Sequence, residues 1–230
     1  MEYTVLNFIF GTFKMFYPWD DKHKKCSVIK RVMNGGIWEQ KIATKIYKDC
    51  KKSTTVIDIG ANIGAHTIHM LDAVSPDGFV IAFEPQIEIS NCLKNTLDQI
   101  GNNYIISNDL VSNQNSTSTF MTNGTGMSRI PLKNGIYNKN WSKHTIKTIT
   151  LDSFLQNKNY IISLIKIDVE GHEFQVLEGA KNTINKYKPI IYIEVWKHTG
   201  DIDKLINWCL NNNYNHLSIS PNDFKLEPII

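Results

Sequence analysis

A chain of 230 residues that is 42% hydrophobic and 20% charged carries enough apolar material for one sizeable packed domain, which excludes global disorder. Its formal net charge of +3 comes from scattered lysines, and no basic stripe interleaved with aromatics is present, so no nucleic-acid partner is expected. Four distant cysteines, Cys26, Cys50, Cys92 and Cys209, form no metal or redox pattern, and there is neither a secretory leader nor an apolar run of membrane-spanning length. Reduced thiols, a cytoplasmic location and no membrane span are the expectation.

In chain order, residues 3–10 and 12–17 read as strands around Gly11, ended by Pro18. Residues 28–33 read as a further extended piece, closed by the Asn34-Gly35-Gly36 turn signal. Ile37, Ile42, Ile46 and Tyr47 fall near one face and predict a helix over 37–50. Residues 1–50 thus form an N-terminal extension, open to substrate contacts or to contacts between copies in a homodimer.

The remaining residues, 51–230, change character. Short β-branched runs at 55–60, 79–84, 104–108, 161–168 and 189–196 alternate with helix candidates. These helices follow Gly64 and Asp152 and cover 86–100, 173–186 and 201–210. The runs are continuously apolar, the mark of a parallel sheet covered on both faces. A polar stretch over 111–145 carries short strands at 116–121 and 146–151. Segments 216–220 and 224–229 form a terminal hairpin that adds an antiparallel strand near the sheet edge.

Ligands of such sheets bind beyond the carboxyl ends of the strands, so these ends matter most. The first holds Asp58, Gly60, Ala61, Asn62 and Gly64, a tight turn that lets backbone approach a ligand. It lacks both the dinucleotide pattern G-x-G-x-x-G and the phosphate loop ending in Gly-Lys-Ser/Thr. The second holds Glu84 and Pro85, an acid placed to take ribose hydroxyls, or simply a helix start. Asn108 and Asp109 follow the third strand as partners for adenine or ribose. The fourth end crowds Lys166, Asp168, Glu170, His172 and Glu173 together. Mutual neutralisation of Lys166 with Asp168 or Glu170 is the bland alternative to an acid–base site. Glu194 interrupts the fifth strand. No metal is expected, and if a divalent ion binds, Asp168 and Glu194 are the candidate ligands.

These pieces, in this order, resemble the FkbM family of methyltransferases over roughly residues 35–200. The matching residues are 56–64, Phe83-Glu84-Pro85, 150–154, 165–173 with 176–180, and Ile193-Glu194-Val195, with Gly36, Trp38 and Glu39 ahead of them. The resemblance implies a Rossmann-like class I methyltransferase sandwich. Its mostly parallel sheet would have seven strands, an antiparallel strand from the C-terminal hairpin and a small N-terminal β/α extension. It implies S-adenosylmethionine as cofactor and O-methylation of a hydroxyl, with a sugar or glycan as the favoured small or polymeric acceptor. Carried over by position, Asp58, Gly60, Ala61, Asn62 and Gly64 would line the methionine end, Glu84 with Pro85 the ribose, and Asp168 with Glu170 the transferring methyl. Asp168 is the first choice of base, with Glu170 and His172 behind it and Lys166 steadying the developing alkoxide. The rival readings are a nucleotide-dependent oxidoreductase, a non-catalytic binding module and a nucleic-acid methyltransferase.

Overall fold

The computed structural model describes residues 1–20, 23–123, 128, 130–131, 141–196 and 201–229. Part of the polar 111–145 stretch therefore lies outside the described residues.

The chain opens with an antiparallel hairpin of β1 (Glu2–Phe8) and β2 (Gly11–Tyr17). Alternation buries Leu6, Phe8, Met15 and Tyr17 on one face. Residues Ser27–Met33 form a helix, α1, where the sequence reads as extended. Val, Ile and Val lose only a few tenths of a kcal/mol each in a helix. Burying Ile29 and Val32, three apart on one face, returns roughly 1.5–3 kcal/mol each, so packing decides the conformation. Helix α2 (Gln40–Asp49) begins three residues later than periodicity predicts, because Glu39 before it adopts a left-handed backbone.

Then come β3 (Thr55–Ile59), α3 (Thr67–Val74), β4 (Phe79–Phe83), α4 (Ile87–Leu97) and β5 (Tyr104–Ser107). The strands β6 (Leu110–Val111), β7 (Ser116–Thr122) and β8 (Ser142–Ile149) make a separate sheet in the order β6-β8-β7. The chain continues through α5 (Leu151–Phe154), β9 (Ile162–Ile167), α6 (Glu173–Gly179), α7 (Lys181–Tyr187), β10 (Ile190–Glu194), α8 (Asp201–Asn212), β11 (Tyr214–Ser218) and β12 (Asp223–Pro228).

The main sheet has seven strands in the order β11-β12-β10-β9-β3-β4-β5. β5, β4, β3, β9 and β10 are parallel, and β12 runs antiparallel to β10 and β11. This is the expected Rossmann-like class I methyltransferase sandwich. β3 and β9 are buried along their whole length, which explains their unbroken apolar sequences. One core cluster, on the side of the hairpin and α1–α4, includes Val56, Val80 and Leu164. The other, on the side of α5–α8, includes Ile57, Ile81 and Ile165. The hairpin shares the first cluster, so the core runs unbroken across residue 50. Strand order reverses between β3 and β9, which opens a crevice at their carboxyl ends.

The single helix predicted over 173–186 is two. It breaks at Ala180 and restarts because the Asp152 carboxylate accepts from the amides of Asn182 (2.9 Å) and Thr183 (2.8 Å). Among the described residues, no helix is long and apolar enough to cross a membrane.

Candidate active site

The ends of β3, β4 and β9 are laced together by backbone. The amides of Gly60 and Ala61 donate to the Phe83 carbonyl, and the Asp168 amide donates to the Ile59 carbonyl, each at 3.0 Å. Gly60, at φ +88°, is required here, since a Cβ would lie 1.8 Å from the Asp168 carbonyl oxygen. Above this junction lies a cavity of about 520 Å³. Gly60, Ala61, Asn62, Glu84, Pro85, Asp109, Lys166, Asp168, Glu170, His172 and Glu194 all line it, so one space unites most of the sequence-predicted site.

Three predicted residues stay out of that wall. Gly64 makes room for Leu93 of α4, 2.7 Å from where its Cβ would be. Asn108 spends its side-chain amide on the Glu84 carbonyl (2.7 Å) and Ser90 Oγ (2.9 Å), tying strand ends together. Asp58 is fully buried beneath the loop, where its Oδ2 accepts from Thr67 Oγ1 at 2.7 Å.

Glu84 is also buried, and its two oxygens accept from the amides of Asn62 (3.0 Å) and Gln86 (2.9 Å). Burial outweighs these bonds and pushes its carboxyl up to about 7. Asn62 sits at φ 50° and caps its own loop through Ile63 N, 2.8 Å from its Oδ1. Asp109 reaches the rim and pairs with Lys147 at 3.1 Å.

Lys166 is the buried hub of the fourth strand end. Its Nζ donates to Asp168 Oδ2 at 3.2 Å and lies 3.5 Å from Asp58 Oδ1, an oxygen with no hydrogen-bond partner among the described residues. Burial opposes the ammonium charge, but Asp168 and Asp58 overcome it and hold Lys166 protonated. Asp168 is likewise opposed by burial, yet Lys166 and a hydrogen bond with Glu194 keep it below the usual carboxylate range. Burial and the Asp168 charge push Glu194 well above neutrality, so the two acids share one proton. Carboxylate oxygens of Asp168, Glu170 and Glu194 lie within 4.8 Å of one another, close enough to hold a cation, although Lys166 already compensates Asp168.

The loop after β9 is braced from below. Glu173, buried, accepts from the amides of Gly171 (2.9 Å) and Val169 (3.4 Å), which supports Glu170 and Gly171 at φ 57° and 98°. His172 Nε2 lies 2.9 Å from Ser112 Oγ, and burial lowers its pKa to about 4, so the imidazole is neutral at pH 7.

Residues 58–215 match the profile of the methyltransferase FkbM domain. The chain belongs to the FkbM methyltransferase family. It is 25% identical over 177 residues, 74% of this chain and 68% of the relative, to the hexuronic acid methyltransferase AglP of Haloferax volcanii. Its fold matches the crystal structure of methyltransferase FkbM from Methylobacillus flagellatus KT, at TM-score 0.53 and 17% identity, over 90% of this chain. This chain spans only 55% of that protein. Precorrin-6y C5,15-methyltransferase from Geobacter metallireducens GS-15 matches at TM-score 0.50 and 11% identity, over 83% of this chain and 87% of that one.

In this FkbM-family chain the cavity has further walls that strand-end reasoning misses. Cys26 and Ser27 at the start of α1, Trp38 and Glu39, and Phe120 of β7 all line it. So do His66 and Trp196. Glu39 Oε2 and His66 Nε2 are 3.1 Å apart across 27 positions of sequence. A signal existed for two of them, because Trp38 and Glu39 belong to the piece resembling the family. Nothing in the local sequence links His66 to Glu39, or His172 to Ser112.

Proposed function

We propose that the chain transfers a methyl group from S-adenosylmethionine to a hydroxyl of a sugar. One observation carries the reading: the glycine turn, Glu84 and the Lys166–Asp168 strand end meet in one cavity whose wall has an excess of negative charge. Six carboxyl groups, on Glu39, Glu84, Asp109, Asp168, Glu170 and Glu194, face two lysines, Lys25 and Lys166, and the excess remains negative with Glu194 protonated and Glu84 shifted up to about 7. Such a wall suits a cationic ligand.

The residues fit this cofactor. Glu84 uses one lone pair of each oxygen on loop amides, which leaves acceptor capacity for a ribose diol. Gly60 and Ala61 line the crevice with no side chain larger than a methyl group. When bound, the cofactor supplies a methyl group already activated by its sulfonium. The protein must then align the acceptor oxygen and receive its proton. Asp168, kept ionised by Lys166, takes that proton, and the Lys166 ammonium steadies the oxygen as charge develops. Trp38, Trp196 and Phe120 add aromatic side chains to the lining, beside the polar Asn123 and Ser128, a composition that suits a sugar ring. The sugar assignment draws on the similarity to the archaeal hexuronic acid methyltransferase.

Titration calorimetry with S-adenosylhomocysteine tests the cofactor. Binding is expected, and Glu84→Ala should weaken it about 10- to 100-fold by removing a charge-assisted acceptor. Mass spectrometry of hexuronate-containing and neutral oligosaccharides, after incubation with the donor, tests the acceptor. No uptake of the cofactor, or unchanged affinity in Glu84→Ala, would sink the corresponding assignment.

A further inference from the structure

Four polar side chains, Glu178, Asn113, Ser112 and His172, form a hydrogen-bonded chain from the surface to the cavity. His172 follows Asp168 on the loop after β9 and lines the cavity. Among the described residues its ring makes one hydrogen bond, between Nε2 and Ser112 Oγ at 2.9 Å. Ser112 is buried just after β6 and comes this near because α6 ends in Gly179. A Cβ at residue 179 would lie 2.0 Å from the Ser112 carbonyl oxygen, so only glycine allows the approach. Ser112 Oγ donates to Asn113 Oδ1 at 3.3 Å, and Asn113 Nδ2 donates to Glu178 Oε2 at 2.9 Å.

The chain has one sense. A carboxylate only accepts, so Glu178 takes the Asn113 amide and turns the Asn113 carbonyl oxygen towards Ser112. The Ser112 hydrogen goes to that oxygen, which leaves the Ser112 oxygen to accept from His172. Nε2 of the neutral ring is therefore the protonated nitrogen, and Nδ1 carries the lone pair. Nδ1 has no partner among the described residues and is not sealed from solvent, in contrast to both nitrogens of His69. It is an uncharged acceptor in a wall rich in carboxylates. Such an atom orients a hydroxyl without drawing off its proton, whereas Asp168 is placed to receive one.

We propose that His172 Nδ1 accepts a hydrogen bond from a hydroxyl of the acceptor sugar other than the one methylated, with Ser112 as the positioning residue that fixes the tautomer of the ring. This assignment rests on the sugar reading above and adds a determinant of acceptor specificity to it. A sugar that lacks the second hydroxyl leaves Nδ1 unmet and binds less well. The glycine turn and Glu84, at the ends of β3 and β4, remain with the donor, while His172 shares its loop with Asp168 on the acceptor side.

Long-range ¹H–¹⁵N NMR of the full chain reads the ring directly. At pH 7 His172 should carry a proton on Nε2 that exchanges slowly with water, and Ser112→Ala should lose that slow proton. Adding S-adenosylhomocysteine should leave the Nδ1 signal in place, and adding the oligosaccharides of the methyl-transfer assay should then move it. Kinetics on two variants complete the test, because glutamine keeps a polar group where Nε2 lies and asparagine keeps one where Nδ1 lies. His172→Gln should raise KM for the oligosaccharide about 5- to 50-fold, and His172→Asn by less, with affinity for S-adenosylhomocysteine within about twofold in both. A purely structural bond to Ser112 predicts the reverse order. Unchanged binding of S-adenosylhomocysteine also certifies that each variant is folded. A proton on Nδ1, an Nδ1 signal that moves with S-adenosylhomocysteine alone, or the reverse order of variants would overturn this assignment alone. So would an oligosaccharide that is methylated without moving the Nδ1 signal. Absence of transfer to any oligosaccharide would overturn it together with the sugar reading.

Discussion

Replacing Glu173 by glutamine isolates the cost of one buried charge. Glu173 is 4% exposed, and both of its loop contacts, from the Gly171 and Val169 amides, end on the same oxygen. A glutamine carbonyl can accept the same two bonds, so the clamp survives while the ionisable group disappears. Burial, only partly offset by these bonds, raises the Glu173 carboxyl from 4.5 to about 7. That difference corresponds to roughly 3 kcal/mol between the two protonation states. The native state binds the proton more tightly than the unfolded chain does. The contribution is therefore fully present below the ordinary value of 4.5 and is lost as pH rises through about 7. Glu173→Gln should be more stable than wild type by ~3 kcal/mol at pH 8, and by less than about 1 kcal/mol at pH 5. Urea unfolding across that pH range measures this, with the midpoint of the variant raised by about 1 M at pH 8. Glu84, shifted the same way, slopes both proteins equally and cancels in the comparison. A variant that is less stable by the same amount at both pH values would refute the reasoning, because it would mean that the amides of residues 169 and 171 require a charged partner.

Gly60→Ala should cost about 2–6 kcal/mol, from a left-handed backbone plus a methyl group forced against the Asp168 carbonyl, and thermal unfolding would show it; a wild-type melting temperature would contradict the close approach. Asp168→Asn should lower turnover by about 10²- to 10⁴-fold with a folded protein, and near-normal turnover would remove Asp168 from the role of base.

Much of the candidate site was legible because it lies at the ends of strands. Gly60, Glu84 and Asp168 each interrupt an apolar run, and a parallel sheet brings such interruptions to one rim. Residues 28–33 misled, since Val28, Ile29 and Val32 favour strands locally, yet Ile29 and Val32 pack in the core as a helical pair. The break at Ala180 was hidden because the carboxylate that caps α7 comes from Asp152, about 30 residues earlier. Asn108 shows a role the sequence does not signal: its amide bridges the Glu84 carbonyl after β4 and Ser90 Oγ of α4.

By itself the sequence determined the alternation of strand and helix, the parallel sheet and the rim where the candidate site lies, because periodicity, glycine placement and interrupted apolar runs are local properties. Only the tertiary structure decided which charges meet: Lys166 with both Asp58 and Asp168, Asp168 with Glu194, Glu39 with His66, and His172 with Ser112. Those pairings depend on distances between segments that sequence spacing does not encode. Burial then sets the protonation of each pair, since removing water raises the cost of every charge that lacks a partner.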